Sequence, residues 1–139
     1  NARGGRGGRR ITRVDPVSKK RTVIVDRFHG KRFNSLNDLR IDGKGRIYFT
    51  APYYGPDREQ LELDVDGVYR VDAHGKNPVR VLDGRHIARP NGLAISNDQK
   101  TLFVVDNHPL KPVRKVFAFE LDGDGVRSHK HDIESASAP

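Results

Sequence analysis

The 139-residue chain contains no cysteine, no methionine and no tryptophan. Without thiols there are no disulfides, no thiolate metal sites and no cysteine nucleophile, yet the compartment stays open because many secreted β proteins also lack cysteine. No apolar run approaches the ~18 residues of a membrane span, and no Asn-x-Ser/Thr sequon speaks for or against secretion. A soluble protein, cytoplasmic or secreted, fits equally. No segment carries apolar residues at i, i+3, i+4 and i+7 over a dozen positions, so amphipathic helices are missing. There is also no Gly-x-Ser-x-Gly elbow, phosphate loop or Cys-His pair, which leaves covalent nucleophilic catalysis without a candidate. Hydrophobic residues make up 35% and charged residues 32% of the chain, a thin supply for an independent core. Such a composition suits units that bury their faces against neighbouring units.

What is present is a repeat. Leu36-Asn37-Asp38-Leu39-Arg40-Ile41-Asp42 runs through Gly43-Lys44-Gly45 into Arg46-Ile47-Tyr48-Phe49-Thr50. Pro90-Asn91-Gly92-Leu93-Ala94-Ile95-Ser96 runs through Asn97-Asp98-Gln99-Lys100 into Thr101-Leu102-Phe103-Val104-Val105. From Asn37 to Asn91 is 54 residues, and a β unit recurring every ~40–50 residues points to a propeller or a related array. Val68-Tyr69-Arg70-Val71-Asp72 has echoes in Ile11-Thr12-Arg13-Val14-Asp15 and in Val116-Phe117-Ala118-Phe119-Glu120, at spacings of 57 and 48 residues. Short alternating runs bounded by Gly, Pro, Asn and Asp predict an all-β chain of about ten strands. Turns are expected at Asp42-Gly43, Asp83-Gly84, Asp122-Gly123 and Asp124-Gly125.

The length allows one domain, divided here into a Gly/Arg-rich lead-in (1–9), a partial β-propeller (10–134) and a short tail (135–139). The chain opens on Asn1 without an initiator Met, and Ser135-Ala136-Ser137-Ala138-Pro139 forms no recognisable closing strand, so a fragment of a longer protein is expected. Half of the net charge of +8 matches four arginines (Arg3, Arg6, Arg9, Arg10) in the first ten residues. The Arg-Gly-Gly repeats there are a signature of RNA-binding segments, but they are short and lack interleaved aromatics. The reading preferred is a Gly-rich turn before a strand from Arg10 to Val14. Basic residues are otherwise not clustered, so nucleic acid is not favoured as a partner.

The two aligned asparagines are the leading site candidates. In a propeller the innermost strand of each blade lines the central channel, so Asn37 and Asn91, at equivalent places on successive blades, would face one axis. A carboxamide oxygen is a hard neutral ligand that suits Ca²⁺ when carboxylates from elsewhere supply charge. The alternative reading makes Asn91-Gly92 a tight turn and Asn37-Asp38 an Asx-type strand entry. Asp122-Gly123-Asp124-Gly125 invites an EF-hand reading, but loop position 12 is His131 and Val116–Phe119 is strand-like, so a hairpin turn is expected. His129 and His131 alternate along an extended segment and read as solvent-facing, while His29, His74 and His86 fall in loops. His108, after Asp106-Asn107 at a strand end, is a candidate substrate contact.

Four stretches in order resemble the gluconolactonase / senescence-marker-protein family (SMP-30-like, LRE-like). Arg32-Phe33-Asn34-Ser35-Leu36-Asn37-Asp38-Leu39 with Asp42-Gly43 and Gly45–Thr50 is similar to its first hallmark, and Arg89–Ser96 to its second. Gly67–Val71 lies between them and Leu102–Asp106 follows. The resemblance covers roughly Arg9 to Asp124. It implies a six-bladed propeller, of which this chain would supply about two and a half to three blades of four-stranded antiparallel sheet. It also implies one divalent metal, usually Ca²⁺, in the central channel, and hydrolysis of lactones or related esters; relatives include phosphotriesterases. The family's metal is held by a Glu near the start of the domain, two Asn and an Asp. The second-hallmark Asn is a direct ligand, which carries over to Asn91, and the Asn of the Asn-Asp pair faces metal or substrate, which carries over to Asn37. The Glu, and the later Asp that acts as general base, have no matching motif here and are expected before Asn1 and after Pro139.

Two departures stand out. Many relatives read Thr-Asp-Pro where this chain has Thr50-Ala51-Pro52, with Asp106 at the corresponding place of the next repeat; metal-dependent relatives with Thr-Ala-Pro exist, so a shift of substrate class is the expectation. The opening is also richer in arginine than the family's lead-in. The resulting reading is a piece of a metal-dependent hydrolase in which Asp38 and Asp106 position the two amides, and the loop from Tyr53 to Asp66 roofs the channel. The alternative is a non-catalytic propeller binding module with a structural metal.

Overall fold

The computed structural model describes residues 8–108, 110, 114–123 and 126–133, the last strand by its backbone from residue 127 on. Both the Arg-Gly-Gly opening up to residue 7 and the tail from residue 134 lie outside the described residues. Twelve strands are found among the described residues, and one 3₁₀ turn at Arg58–Gln60 is the sole helical element. The architecture is all-β.

Two four-stranded antiparallel sheets dominate. The first runs in chain order through β5 (Leu39–Ile41), β6 (Ile47–Ala51), β7 (Gly67–Val71) and β8 (Val79–Leu82). The second runs through β9 (Pro90–Ile95), β10 (Thr101–Asp106), β11 (Lys115–Leu121) and β12 (Val126–Ile133). Two hairpins precede them, β1 (Ile11–Val14) with β2 (Arg21–Val25) and β3 (Arg27–Phe28) with β4 (Lys31–Arg32). The sequence repeat is a structural one. Leu39 pairs with Phe49 and Ile41 with Ile47 in the first sheet, as Leu93 pairs with Val104 and Ile95 with Leu102 in the second. The three echo segments become β1, β7 and β11, each paired with the strand that follows it. Because β11 is a strand paired with β12, the hairpin reading of 122–125 holds over the EF-hand; residues 124 and 125 themselves lie outside the described set.

The turns reuse one chemical device. The Asp42 carboxylate accepts the N–H groups of Lys44 and Arg46 at 3.0 and 2.9 Å, and Asp72 accepts those of His74 and Lys76 at 2.9 Å each. Both turns close on a glycine at φ +77°, Gly45 and Gly75, a left-handed conformation that disfavours any side chain. Gly75 also lies so close to the Ile24 carbonyl that a Cβ would overlap it. Hydrogen bonding holds the Asp72 carboxyl below its usual range, led by the Lys76 N–H.

Side-chain alternation along β6 and β7 divides the core. Ile47, Phe49, Ala51, Tyr69 and Val71 pack with Phe28, Phe33, Ile11 and Val25 on the side of the hairpins. Phe33 meets Phe49 and Tyr69 edge-on, both at 5.0 Å between ring centroids. On the opposite face Tyr48, Val68 and Leu82 pack against Leu93, Leu102, Val104 and Phe119 of the second sheet. Every residue of β6 is therefore buried. Burial pushes the Tyr69 phenol up to about 12, so this core hydroxyl stays protonated.

Candidate functional site

Asn37, Asp38 and Asn91 meet where the first strands of the two sheets adjoin. Asn37 enters β5, its N–H donating to the Thr50 carbonyl at 3.1 Å. The buried Thr50 hydroxyl accepts the Asp38 N–H at 3.1 Å and donates to the Asn91 carbonyl at 2.7 Å. The Asp38 carboxylate accepts the Leu93 N–H at 2.8 Å across the sheets and the Leu39 N–H at 2.8 Å within its own strand. Two polar side chains thus clip the hallmark segments together, backbone to backbone.

Asn91-Gly92 is not a tight turn: both residues belong to β9, and Gly92 keeps a negative or extended φ. The turn reading fails because Asp38 and Thr50 satisfy this segment from the neighbouring sheet and keep it extended. Asn37-Asp38 does behave as a strand entry, through the Asp38 carboxylate on Leu39.

Asp106, 6% exposed, fixes the approach to Asn91. Its carboxylate accepts the Arg89 N–H at 2.8 Å and the Ala88 N–H at 3.3 Å, while the Asn107 N–H donates to the Arg89 carbonyl at 2.9 Å. The pairing of β9 with β10 is irregular between Val104 and Asp106, a bulge that re-aims the end of the strand. Asp38 and Asp106 therefore hold the backbone on which the asparagines sit.

The loop after β6 reaches this edge through Tyr54. Its phenolic oxygen accepts the Asn91 Nδ2–H at 2.7 Å and the Asn107 Nδ2–H at 3.3 Å. The Arg89 guanidinium lies over the Tyr54 ring, 5.1 Å from its centroid. Asp66, at the other end of the loop and 5% exposed, accepts from Arg58 at 3.1 Å and from Asn34 Nδ2 at 3.2 Å. Arg89 Nε approaches Asp66 to 3.9 Å, an ion-pair separation too long for a hydrogen bond. A Cβ on Gly55 would overlap the Tyr53 ring and hydroxyl.

Arg89 and Asn107 are the residues that sequence reasoning did not single out; Tyr54 and Asp66 belong to the loop expected to roof the site, with no individual role assigned to either side chain. The available signal was position: Arg89 stands two residues before Asn91 and Asn107 directly after Asp106. His108 is half-buried beyond Asn107, its Nδ1 accepting the Leu110 N–H at 3.1 Å. Ala51, where a carboxylate was noted as missing, is fully buried in the apolar cluster with Phe33 and Phe49. Asn37 also borders a shallow cleft of about 160 Å³ with Arg10, Thr12 and Leu36.

As a donor set for a metal this edge offers neutral amide oxygens. Among the described residues no three His, Cys, Asp or Glu side chains gather as ligands. Tyr54 takes the Asn91 amide nitrogen, and the carboxamide oxygen is by type a hard neutral donor of the kind Ca²⁺ takes. The residues present fit such an ion in donor type, with the balancing charge to come from elsewhere. No helix among the described residues is long and apolar enough to cross a membrane.

The family model described as the SMP-30/Gluconolactonase/LRE-like region matches residues 5–137. The gluconolactonase of Zymomonas mobilis subsp. mobilis is 38% identical over 124 residues, covering 86% of this chain and 33% of that protein. A lactonase of Staphylococcus epidermidis is 31% identical over 91 residues, covering 66% of this chain and 25% of that protein. The solved structure of a gluconolactonase from Xanthomonas campestris superposes with a TM-score of 0.74 at 34% identity, over 89% of this chain and 42% of its own. The chain thus spans about a third to two fifths of the length of these two gluconolactonases. It belongs to the SMP-30/gluconolactonase/LRE-like family.

Proposed function

We propose that this chain is part of a six-bladed β-propeller that hydrolyses lactones or related esters with a divalent metal, Ca²⁺ first, in its central channel. The observation that carries this reading is the placement of the second-hallmark Asn91, amide nitrogen held and oxygen left for a ligand, on a strand clipped to the Asn37-Asp38 entry. The names of the relatives, gluconolactonase and lactonase, supply the substrate class. The apolar side chains left partly open on both flanks fit further blades. Val14 and Val23 are each 49% exposed on the first hairpin, and Phe103 and Val105 are half-buried on the second sheet.

When bound, the metal polarises the substrate carbonyl and stabilises the charge that develops on its oxygen. Asn91 is the ligand in this chain, and Asn37 a ligand or a group that orients substrate. Asp106 and Asp38 keep the two backbones in register so that the amide oxygens are preorganised rather than mobile. The remaining ligands and the carboxylate that activates water come from the rest of the propeller. The test is hydrolysis of a panel of lactones by the full-length protein, with Ca²⁺, with a chelator, and in the Asn91→Ala variant. Activity lost with the chelator and with Asn91→Ala is expected; activity indifferent to both would overturn the proposal.

A further inference from the structure

The Tyr54 hydroxyl stands in an unusual hydrogen-bonding position. Two amide N–H groups, from Asn91 at 2.7 Å and Asn107 at 3.3 Å, are directed at its oxygen. A phenolic oxygen carries one hydrogen and accepts through its lone pairs. With both accepting directions taken, that hydrogen is the group's remaining bonding capacity. Tyr54 is 43% exposed, so the phenol stands at the surface beside Asn91 rather than in the core. The ring is held from below by the Arg89 guanidinium, and Arg89 is held in turn by Asp106 through its backbone and by Asp66 through its side chain. A donor fixed by two amides and a cation–π contact, next to the proposed ligand, is preorganised for an oxygen arriving from outside.

Resting on the function proposed above, we propose that the Tyr54 O–H donates a hydrogen bond to the carbonyl oxygen of the lactone, sharing the negative charge that develops there as water attacks. The proton stays on Tyr54 throughout, since the residue acts as a donor and the proton of the attacking water leaves through the general base. Asn91 and Asn107 are then positioning residues for this hydroxyl as well.

Tyr54→Phe keeps the ring over Arg89 and removes the hydroxyl, both the donor and the acceptor of the Asn91 and Asn107 N–H groups; water can take over the accepting role at this exposed edge. In the full-length protein kcat should fall about a hundredfold to a thousandfold, the scale of one lost donor to a developing oxyanion. KM and Ca²⁺ affinity by calorimetry should change little. The loss should be equal for a lactone and its thiolactone, which share the carbonyl. An unchanged kcat overturns the proposal. So does a loss confined to the oxygen lactone, which would put the donor on the leaving ring oxygen. A parallel loss of Ca²⁺ affinity also overturns it, because Tyr54 would then be no more than a prop for Asn91. If Tyr54→Phe fails to fold, 3-fluorotyrosine at position 54 gives the second test. Its phenol keeps the acceptor for both amides and is the stronger hydrogen-bond donor, so kcat should change while Ca²⁺ affinity does not, and an unchanged kcat overturns the proposal. A wild-type protein inactive on every lactone removes the function reading, and this one with it; an active wild type with an indifferent Tyr54→Phe removes this one alone.

Discussion

The two repeats share one framework but secure it differently. In the second, a buried carboxylate at the end of the second strand, Asp106, gathers the Ala88 and Arg89 N–H groups ahead of Asn91. In the first, the corresponding residue is Ala51, sealed in apolar packing. The segment ahead of Asn37 is instead tied down from a distance. Asn34 reaches Asp66 and the Val65 carbonyl at 3.2 Å each, and the Arg9 side chain donates to the Phe33 carbonyl. The second strands differ in the same sense: Tyr48 is fully buried against the other sheet, whereas its counterpart Phe103 is only half-buried. A repeat therefore constrains strand pairing and leaves the means of holding the site-bearing segment free to diverge.

The largest effect that would break this comparison is on the asparagines. Asn91→Ala should lower Ca²⁺ affinity and lactonase rate together, by more than the roughly 10–100-fold typical of groups that only support a ligand. Asn37→Ala should do less, since water can take the place of an orienting amide. Calcium titration and rates on both full-length variants decide this, and equal losses would make the two repeats functionally alike. Next comes the carboxylate swap. Asp106→Ala strips two backbone donors of their acceptor and should destabilise by about 3 kcal/mol in denaturant unfolding. Ala51→Asp places a charge beside Phe33 and Phe49 and should also destabilise, by several kcal/mol. A neutral Ala51→Asp would show that the first repeat retains the site for the carboxylate that the second uses. Thr50→Val, isosteric but without the hydroxyl, should cost about 2 kcal/mol by orphaning the Asp38 N–H and the Asn91 carbonyl.

The smallest effect is acid sensitivity. The Asp72 carboxyl is held below its ordinary value, so its hold on the β7–β8 turn is complete above that value and is lost as pH falls through the lower folded one. Amide shifts of His74 and Lys76 should therefore titrate below pH ~4, the ordinary carboxylate range. Shifts that stay flat as pH falls through that range would take the carboxylate out of this turn.

Local signals carried most of the fold. The repeat, the paired echo segments and the Asp-led turns were legible because strand alternation and Asx geometry are written within a few residues. The β3–β4 hairpin was not, because its turn is His29-Gly30, with φ of +48° and +78°, where Asn-Gly would have announced it. Asn37 and Asn91 could be aligned, but Asn91-Gly92 looked like a turn in isolation; its extended state depends on Asp38 and Thr50, 41 to 55 residues away. Tyr54, Arg89 and Asp66 form a cluster only in three dimensions, and no spacing rule predicts a phenol meeting two amides 37 and 53 residues on.

Strand β6 carries a hazard of its own. Ile47-Tyr48-Phe49-Thr50-Ala51 is uncharged, rich in β-formers and free of Gly and Pro, and every side chain is hidden in the native fold. Released by partial unfolding, such a segment can template cross-β association between chains. It is bounded by Arg46, whose guanidinium is anchored to Asp42 at 2.6 Å, and by Pro52, which lacks the N–H needed to extend a ladder. These two residues act as gatekeepers, and replacing either with an apolar, non-proline residue would lengthen the stretch open to aggregation.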